Sequence, residues 1–333
     1  MPQTLKIVIP MAGFGSRLRP LTWSRPKQLL PLAGKTVLDR FLDQFSSLPT
    51  DFKIEYIFIV GQQGEQISAY MQQTYPDMKV SFIDQSEMRG QSHAIWLARE
   101  HLSGPMLMAF SDTLIETDFS GLMQEPSDLI AWVKEVEDPR RFGVAQLDTN
   151  EHIIRLIEKP QEMDNHLVVV GFYYFRSGKA LVEAIEEQMR RGTVLNNEYF
   201  LADAINILLE QGAVGRTHNI ETWLDAGTFT SMLETNAYLL ANGHANGNHP
   251  DGTLVLEPSF IHPSAHVQGA IIGPNASIGE NCVIENAIIR NSIVDANSEV
   301  RDVVLSDSLI GCDALVEGQA EHVFLGNNAW LKK

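Results

Sequence analysis

Residues 9–32, IPMAGFGSRLRPLTWSRPKQLLPL, set Gly13 and Gly15 ahead of Arg17 and Lys27 in a stretch broken by prolines at positions 20, 26 and 31. The chemistry such a stretch can do is to hold phosphate, because glycine lets a backbone turn tightly and approach a ligand closely. It is not a dinucleotide fingerprint, since Leu18 stands where the third glycine of G-x-G-x-x-G belongs. It is not a P-loop either, because no Gly-Lys-Ser/Thr closes it. Two unit negative charges about 4 Å apart repel by roughly 4 kcal/mol at an effective dielectric near 20, and a helix N-terminus offers only about half a charge against them. Holding a polyphosphate there therefore needs full cations, which Arg17 and Lys27 can provide.

Such a loop needs rigid elements behind it. Apolar runs at 5–10, 54–60, 79–84 and 106–110 predict buried strands. Stretches with helical spacing, at 37–48, 64–75 and 92–102, lie between or after them. This order predicts an α/β fold, a mostly parallel mixed sheet flanked by helices. Ligands of such sheets bind beyond the carboxyl ends of the strands. The glycine loop, Gln85 and Asp112 each follow one of these runs, so all three are expected on one edge. Strand-like runs follow at 129–136, 142–148, 152–159 and 167–175, and helical stretches near 177–190 and 200–211. The segment ANGHANGNHPDG, 241–252, has the composition of a linker or exposed loop.

Beyond it, aliphatic residues recur every five or six positions from Val255 through Ile261, Val267, Ile272, Ile278 and Ile284 to Val316. That period is the mark of a hexapeptide β-helix, whose coils share a core by stacking. The expected organisation is a catalytic domain at 1–240, a linker at 241–253 and a left-handed parallel β-helix at 254–333.

The composition excludes several classes of function. A chain of 333 residues, 44% hydrophobic and 20% charged, is long enough for two globular cores. Its net charge of −17 argues against nucleic acid and anionic membranes as partners, both of which need a broad basic surface. The two cysteines, Cys282 and Cys312, fit a reducing compartment. No apolar run is long enough for a signal peptide or a membrane span, so a cytoplasmic location is expected.

The stretch AGFGSRLRPLTWSRPKQLLPLAGK resembles the signature of sugar-1-phosphate nucleotidyltransferases, in particular glucose-1-phosphate thymidylyltransferases and their relatives. That signature reads G-x-G-x-R-L-x-P-L-T, then P-K-x-L-L-P. The resemblance continues in DQSEMRGQSHAI (84–95), FSDTLIETD (110–118), FGV (142–144), EKP (158–160), VGFYYF (170–175) and WLDAGT (223–228), covering about residues 5–235. It implies attack by an oxygen of a sugar 1-phosphate on the α-phosphorus of a nucleoside triphosphate, with release of pyrophosphate. A phosphate monoester is largely ionised at pH 7, so catalysis is expected to be alignment and charge stabilisation without a general base.

By the matching positions, Arg17 and Lys27 would hold the triphosphate, and Ala12, Gly13 and Gly15 would line the nucleotide. Gln85 and Gly90 would read the base, and Asp112 and Asp225 would carry Mg²⁺, a hard cation suited to carboxylate and phosphate oxygens. Lys159 would bind the sugar phosphate, with Gly143, Glu158 and Gly171 around the sugar and Asn196, Asn197 and Glu198 as further candidates to line that pocket. The expected substrates are dTTP or UTP and glucose 1-phosphate, and a homo-oligomer is expected. Ser111 departs from the family's usual glycine before the metal-loop aspartate. Two rival readings are a regulatory paralogue without catalysis and a bifunctional enzyme whose β-helix transfers an acyl group.

Overall fold

Nine strands form the main sheet of the computed structural model, which describes residues 4–49, 52–195 and 197–318. Thr4–Pro10 lies inside this sheet, because its run LKIVI is buried on both faces. It pairs in parallel with Lys53–Val60 on one side and Met106–Ala109 on the other, and Val80–Asp84 extends the parallel set beyond Lys53–Val60. On the other flank the sheet turns antiparallel: Leu167–Phe175 pairs with Met106–Ala109, with Leu129–Glu135 and with Gly143–Leu147. Ile153–Glu158 then pairs antiparallel with Gly143–Leu147. The expected mixed sheet is therefore present, with every run read as a strand in place.

Helices α1 (Val37–Asp43), α2 (Gly64–Thr74) and α3 (Gln91–Leu97) fall on the first three helical stretches, and α4 (Gly178–Arg191) and α5 (Leu201–Glu210) on the next two. Helix α1 starts at a capping box, in which Thr36 Oγ1 accepts from Asp39 N while the Asp39 carboxylate accepts from Thr36 N. Ile57, Met106, Met108 and Phe175 pack with Ile185, Leu201 and Ile205 in one core beneath the sheet.

Several elements were not expected. Gly215–Asn219 pairs in parallel with Leu129–Glu135 although its sequence, GRTHN, has no strand-like alternation. Trp223–Asp225 forms a separate antiparallel pair with Thr113–Ile115. Helix α6 (Phe229–Leu239) buries Thr235 and Asn236 along with Met232 and Leu233, so polar residues interrupt its apolar face.

The chain divides into two compact units: the described residues of Met1–Leu30 with Thr36–Ser231, and those of Pro31–Lys35 with Met232–Lys333. In the second unit the repeating aliphatic residues sort into three columns. Val255, Ile272, Ile289 and Leu305 are in register in one four-stranded parallel sheet. Ile261, Ile278, Val294 and Ile310 align in a second, and Val267, Ile284, Val300 and Val316 in a third. The three columns form one core, as stacked β-helix coils require. Asn281, Asn286, Asn291, Asn297, Asp302, Asp307 and Asp313 hold positive φ at the corners, where their short polar side chains tolerate a left-handed backbone. The coils are described as far as residue 318, and the remainder of the expected 254–333 range lies outside the described residues.

Candidate active site

Three segments leave the carboxyl edge of the parallel strands side by side. The glycine loop follows Thr4–Pro10 and is tied down at its start, where Met11 N donates to Ile59 O at 2.8 Å. Gly15 O accepts from Leu18 N at 2.9 Å and from Thr22 Oγ1 at 2.8 Å, closing the short turn that carries Arg17. Lys27 opens a second short turn, Lys27–Leu29. Gln85 follows Val80–Asp84, with its backbone N donating to Val60 O at 2.8 Å and its side-chain Nε2 donating to Gly90 O at 3.3 Å. Gly90 has φ 99°, and a Cβ there would stand 2.6 Å from Tyr199 N and O, so no other residue fits. Asp112 follows Met106–Ala109 within a loop anchored by Phe110 N donating to Gly171 O at 3.2 Å.

These segments enclose a cleft of about 340 Å³ whose lining includes Ala12, Gly13, Lys27, Gln85, Gly90 and Asp112. These six, with Glu198, are residues singled out in the sequence that share one cavity. Lys27 Nζ pairs directly with Asp112 Oδ2. Burial alone would push the Asp112 carboxyl up, but the Lys27 ammonium against it, with Arg17 behind, holds it below its ordinary value.

Arg17 and Asp225 are not on the wall of that cleft; they meet Asp112 at a second point. The ladder between Thr113–Ile115 and Trp223–Asp225 sets Asp225 opposite Thr113, and Ala226 N donates to Asp112 O at 2.9 Å. Where Gly227 would carry a Cβ, Arg17 Nη2 and Asp225 Oδ1 stand 3.0 Å away and Asp112 Oδ2 3.2 Å away. A missing side chain therefore leaves a cradle into which two carboxylates and a guanidinium point. Among the described residues no group of three or more His, Cys, Asp or Glu could hold a metal ion. Two carboxylates nevertheless suit Mg²⁺, which commonly takes one or two from the protein and completes its shell with substrate phosphates and water.

Of the residues expected around the sugar, Gly143 and Glu158 lie together, with Lys159 next in sequence. Glu158 is paired with Gly143 across the ladder, and its Oε2 lies 3.2 Å from the point where a Gly143 Cβ would be. Burial pushes the Glu158 carboxyl up, against the pull of neighbouring Lys159, and Asp203 adds to the rise. Lys159 has its Nζ 4.8 Å from the centre of the Phe200 ring, a cation–π contact. Gly171 contributes its carbonyl to the Asp112 loop, as described. Glu198 lines the same cleft as Gly90, and Asn196 lies outside the described residues.

Residues that sequence reasoning did not single out also build the site. Gly227 makes the cradle, and it stands in the quoted WLDAGT motif as the only clue. Gln28 is 1% exposed and Ser111 is 2% exposed; Gln28 Nε2 donates to Ser111 Oγ at 2.8 Å. Phe110, Met88, Gln91 and Ser111 also line the cleft.

The model of the nucleotidyl transferase family matches residues 6–242 of this chain. The bifunctional protein GlmU of Methanocaldococcus jannaschii is 31% identical over 329 residues, 91% of this chain and 77% of the relative. The glucose-1-phosphate thymidylyltransferase of Streptomyces griseus is 28% identical over 335 residues, 92% of each chain. Among solved structures, a UDP-glucose pyrophosphorylase complexed with UDP-glucose superposes with a TM-score of 0.62 at 21% identity, covering 72% of this chain and all of that one, a likeness of fold.

Proposed function

This chain belongs to the nucleotidyl transferase family, and on that premise we propose that it joins a nucleoside triphosphate to a sugar 1-phosphate, giving a nucleotide-sugar and pyrophosphate. A phosphate oxygen of the sugar 1-phosphate forms a bond to the α-phosphorus while the bond from that phosphorus to the bridging oxygen of pyrophosphate breaks. The observation that carries this proposal is the convergence of Lys27, Arg17, Asp112 and Asp225 beside the glycine loop. Cations and carboxylates at one point suit a reaction in which negative charges must be pressed together and then parted.

Within the proposal, Lys27 and Arg17 hold the triphosphate in line and take up the charge of the departing pyrophosphate. Asp112 and Asp225 would hold Mg²⁺, which when bound supplies a Lewis acid between the phosphates. Glu158 accepts from sugar hydroxyls and Lys159 meets the sugar phosphate. The nucleophile is already ionised, so no protein group needs to remove a proton.

Base selection falls to Gln85 and Gly90. A carboxamide offers a donor and an acceptor, matching the N3–H and a carbonyl of a pyrimidine dione. Adenine presents a donor where O4 would lie, and a purine is larger. Thymidine and uridine triphosphates are therefore the proposed donors, and glucose 1-phosphate the proposed acceptor, by likeness to the Streptomyces enzyme. The direct test is to incubate the protein with dTTP or UTP, glucose 1-phosphate and Mg²⁺, and to identify the nucleotide-sugar by mass alongside stoichiometric pyrophosphate.

A second activity is raised by the relatives named bifunctional. Against acyl transfer by the β-helix, its described strands are joined by connections of at most four residues, which leaves no long loop to form an acyl site. His262 Nδ1 is occupied with Ser264 Oγ at 2.8 Å. Acyl-coenzyme A should stay unconsumed with any sugar phosphate offered; consumption lost on changing His262 or His266 would establish the second activity.

A further inference from the structure

The Gln28 carboxamide is buried one layer behind the cleft, and its –NH₂ has two hydrogens to place. Nε2 lies 2.8 Å from Ser111 Oγ and 3.4 Å from Met11 O. Met11 begins the glycine loop, Ser111 immediately precedes Asp112, and Gln28 itself immediately follows Lys27. One side chain thus reaches the root of the glycine loop, the root of the Asp112 loop and the turn that presents Lys27.

We infer that Gln28 and Ser111 form a buried clasp that positions Lys27 against Asp112, so that both are positioning residues for nucleotidyl transfer. Resting on the function proposed above, the inference adds a reason for the serine that departs from the family's usual glycine. A glycine would leave one of the two Gln28 Nε2 hydrogens without its acceptor, with only Met11 O at 3.4 Å still in reach, and a buried donor hydrogen without a partner is costly. The clasp lies beside each charged group and not on it: Gln28 is adjacent in sequence to Lys27, and Ser111 to Asp112. Gln28 therefore sets the spacing of the ion pair from behind the cleft wall, to which Ser111 contributes. A second layer of hydrogen bonds behind metal-binding carboxylates generally tunes affinity and rate by about 10–100-fold.

The test uses the full chain with Gln28→Met, Ser111→Ala and the double variant, Met being close in volume to Gln. Two quantities are read: the affinity for Mn²⁺ by electron paramagnetic resonance with dTTP present, and kcat against Mg²⁺ concentration. Each single variant should weaken Mn²⁺ binding about tenfold and raise the Mg²⁺ concentration for half-maximal rate by a similar factor. KM for the sugar phosphate should stay within about twofold. The double variant should be no more than about twofold worse than the poorer single one, because both remove the same contact. Independent, multiplying losses would overturn the clasp, as would singles that lose thermal stability while keeping wild-type Mn²⁺ affinity. If Ser111→Ala does not fold, Gln28→Met alone decides by its Mn²⁺ affinity. Absence of turnover in the wild type would refute the proposed function, whereas the Mn²⁺ measurement would still decide the clasp.

Discussion

Asp112 and Asp225 face each other across the empty Cβ position of Gly227, with Oδ2 of the first 3.2 Å from that point and Oδ1 of the second 3.0 Å from it. They come from segments more than a hundred residues apart, brought together by the short ladder that sets Asp225 opposite Thr113. Gly227→Ala would put a methyl group where the carboxylates converge, so one or both must move. The expected outcome is a loss of kcat of about a hundredfold, in keeping with the sensitivity of catalysis to small misplacements, with the melting temperature little changed. Near-normal turnover would show that the cradle is not where the metal and phosphates meet.

Lys27→Met tests the partly buried ion pair through pH. A carboxyl held below its ordinary value of 3.8 contributes stability that is fully present above that value and is lost as pH falls through the depressed one. Without Lys27, burial raises the Asp112 carboxyl, and breaking such a pair costs about 3 kcal/mol. The gap in unfolding free energy between wild type and variant should be widest near pH 7 and should narrow below about pH 4. A gap independent of pH would mean that Lys27 does not hold Asp112 ionised.

Glu158→Gln separates sugar recognition from nucleotide binding. KM for the sugar phosphate should rise about tenfold or more, as expected when a buried polar partner is removed, while KM for the nucleotide stays nearly constant. Burial disfavours the ionised Glu158, so the fold loses stability as pH rises above the ordinary value of 4.5. The Gln variant should therefore melt slightly higher than wild type at pH 8 and at the same temperature at pH 4. Equal effects on both KM values would remove Glu158 from the sugar subsite.

The inner parallel strands were legible because their runs are buried on both faces and so read as nearly continuous apolar sequence, as in IVI and IFIV. The β-helix was legible because each coil must return an aliphatic residue to the shared core. Its corners were equally present, as Asn and Asp at intervals of five or six, and a search for left-handed positions would have found them. Gly215–Asn219 was hidden because backbone pairing with Leu129–Glu135, not an apolar face, places it. Helix α6 was hidden because Asn236 is buried by hydrogen bonding: its Oδ1 accepts from Ala33 N at 3.0 Å and from Ser277 Oγ at 2.8 Å. Among candidate site residues, those in the glycine loop and after the strands carried charge or motif. Gln28 and Gly227 stand inside quoted motifs but carry no charge, and nothing in the sequence shows that one is buried behind the cleft and that the other matters by lacking a side chain.

The most direct measurement is kcat/KM for pyrophosphate release across dTTP, UTP, CTP, ATP and GTP, each with glucose 1-phosphate and a few other sugar phosphates, in wild type and Asp112→Asn. The expected result is turnover that requires a sugar 1-phosphate, uses dTTP and UTP well ahead of both purines, and falls by at least about a hundredfold in the variant. dTTP and UTP should lie close together, because one methyl group is worth only about 1–3 kcal/mol. Pyrophosphate release from no pairing in the wild type would contradict nucleotidyl transfer, and ATP or GTP ahead of both pyrimidines would contradict the role of Gln85.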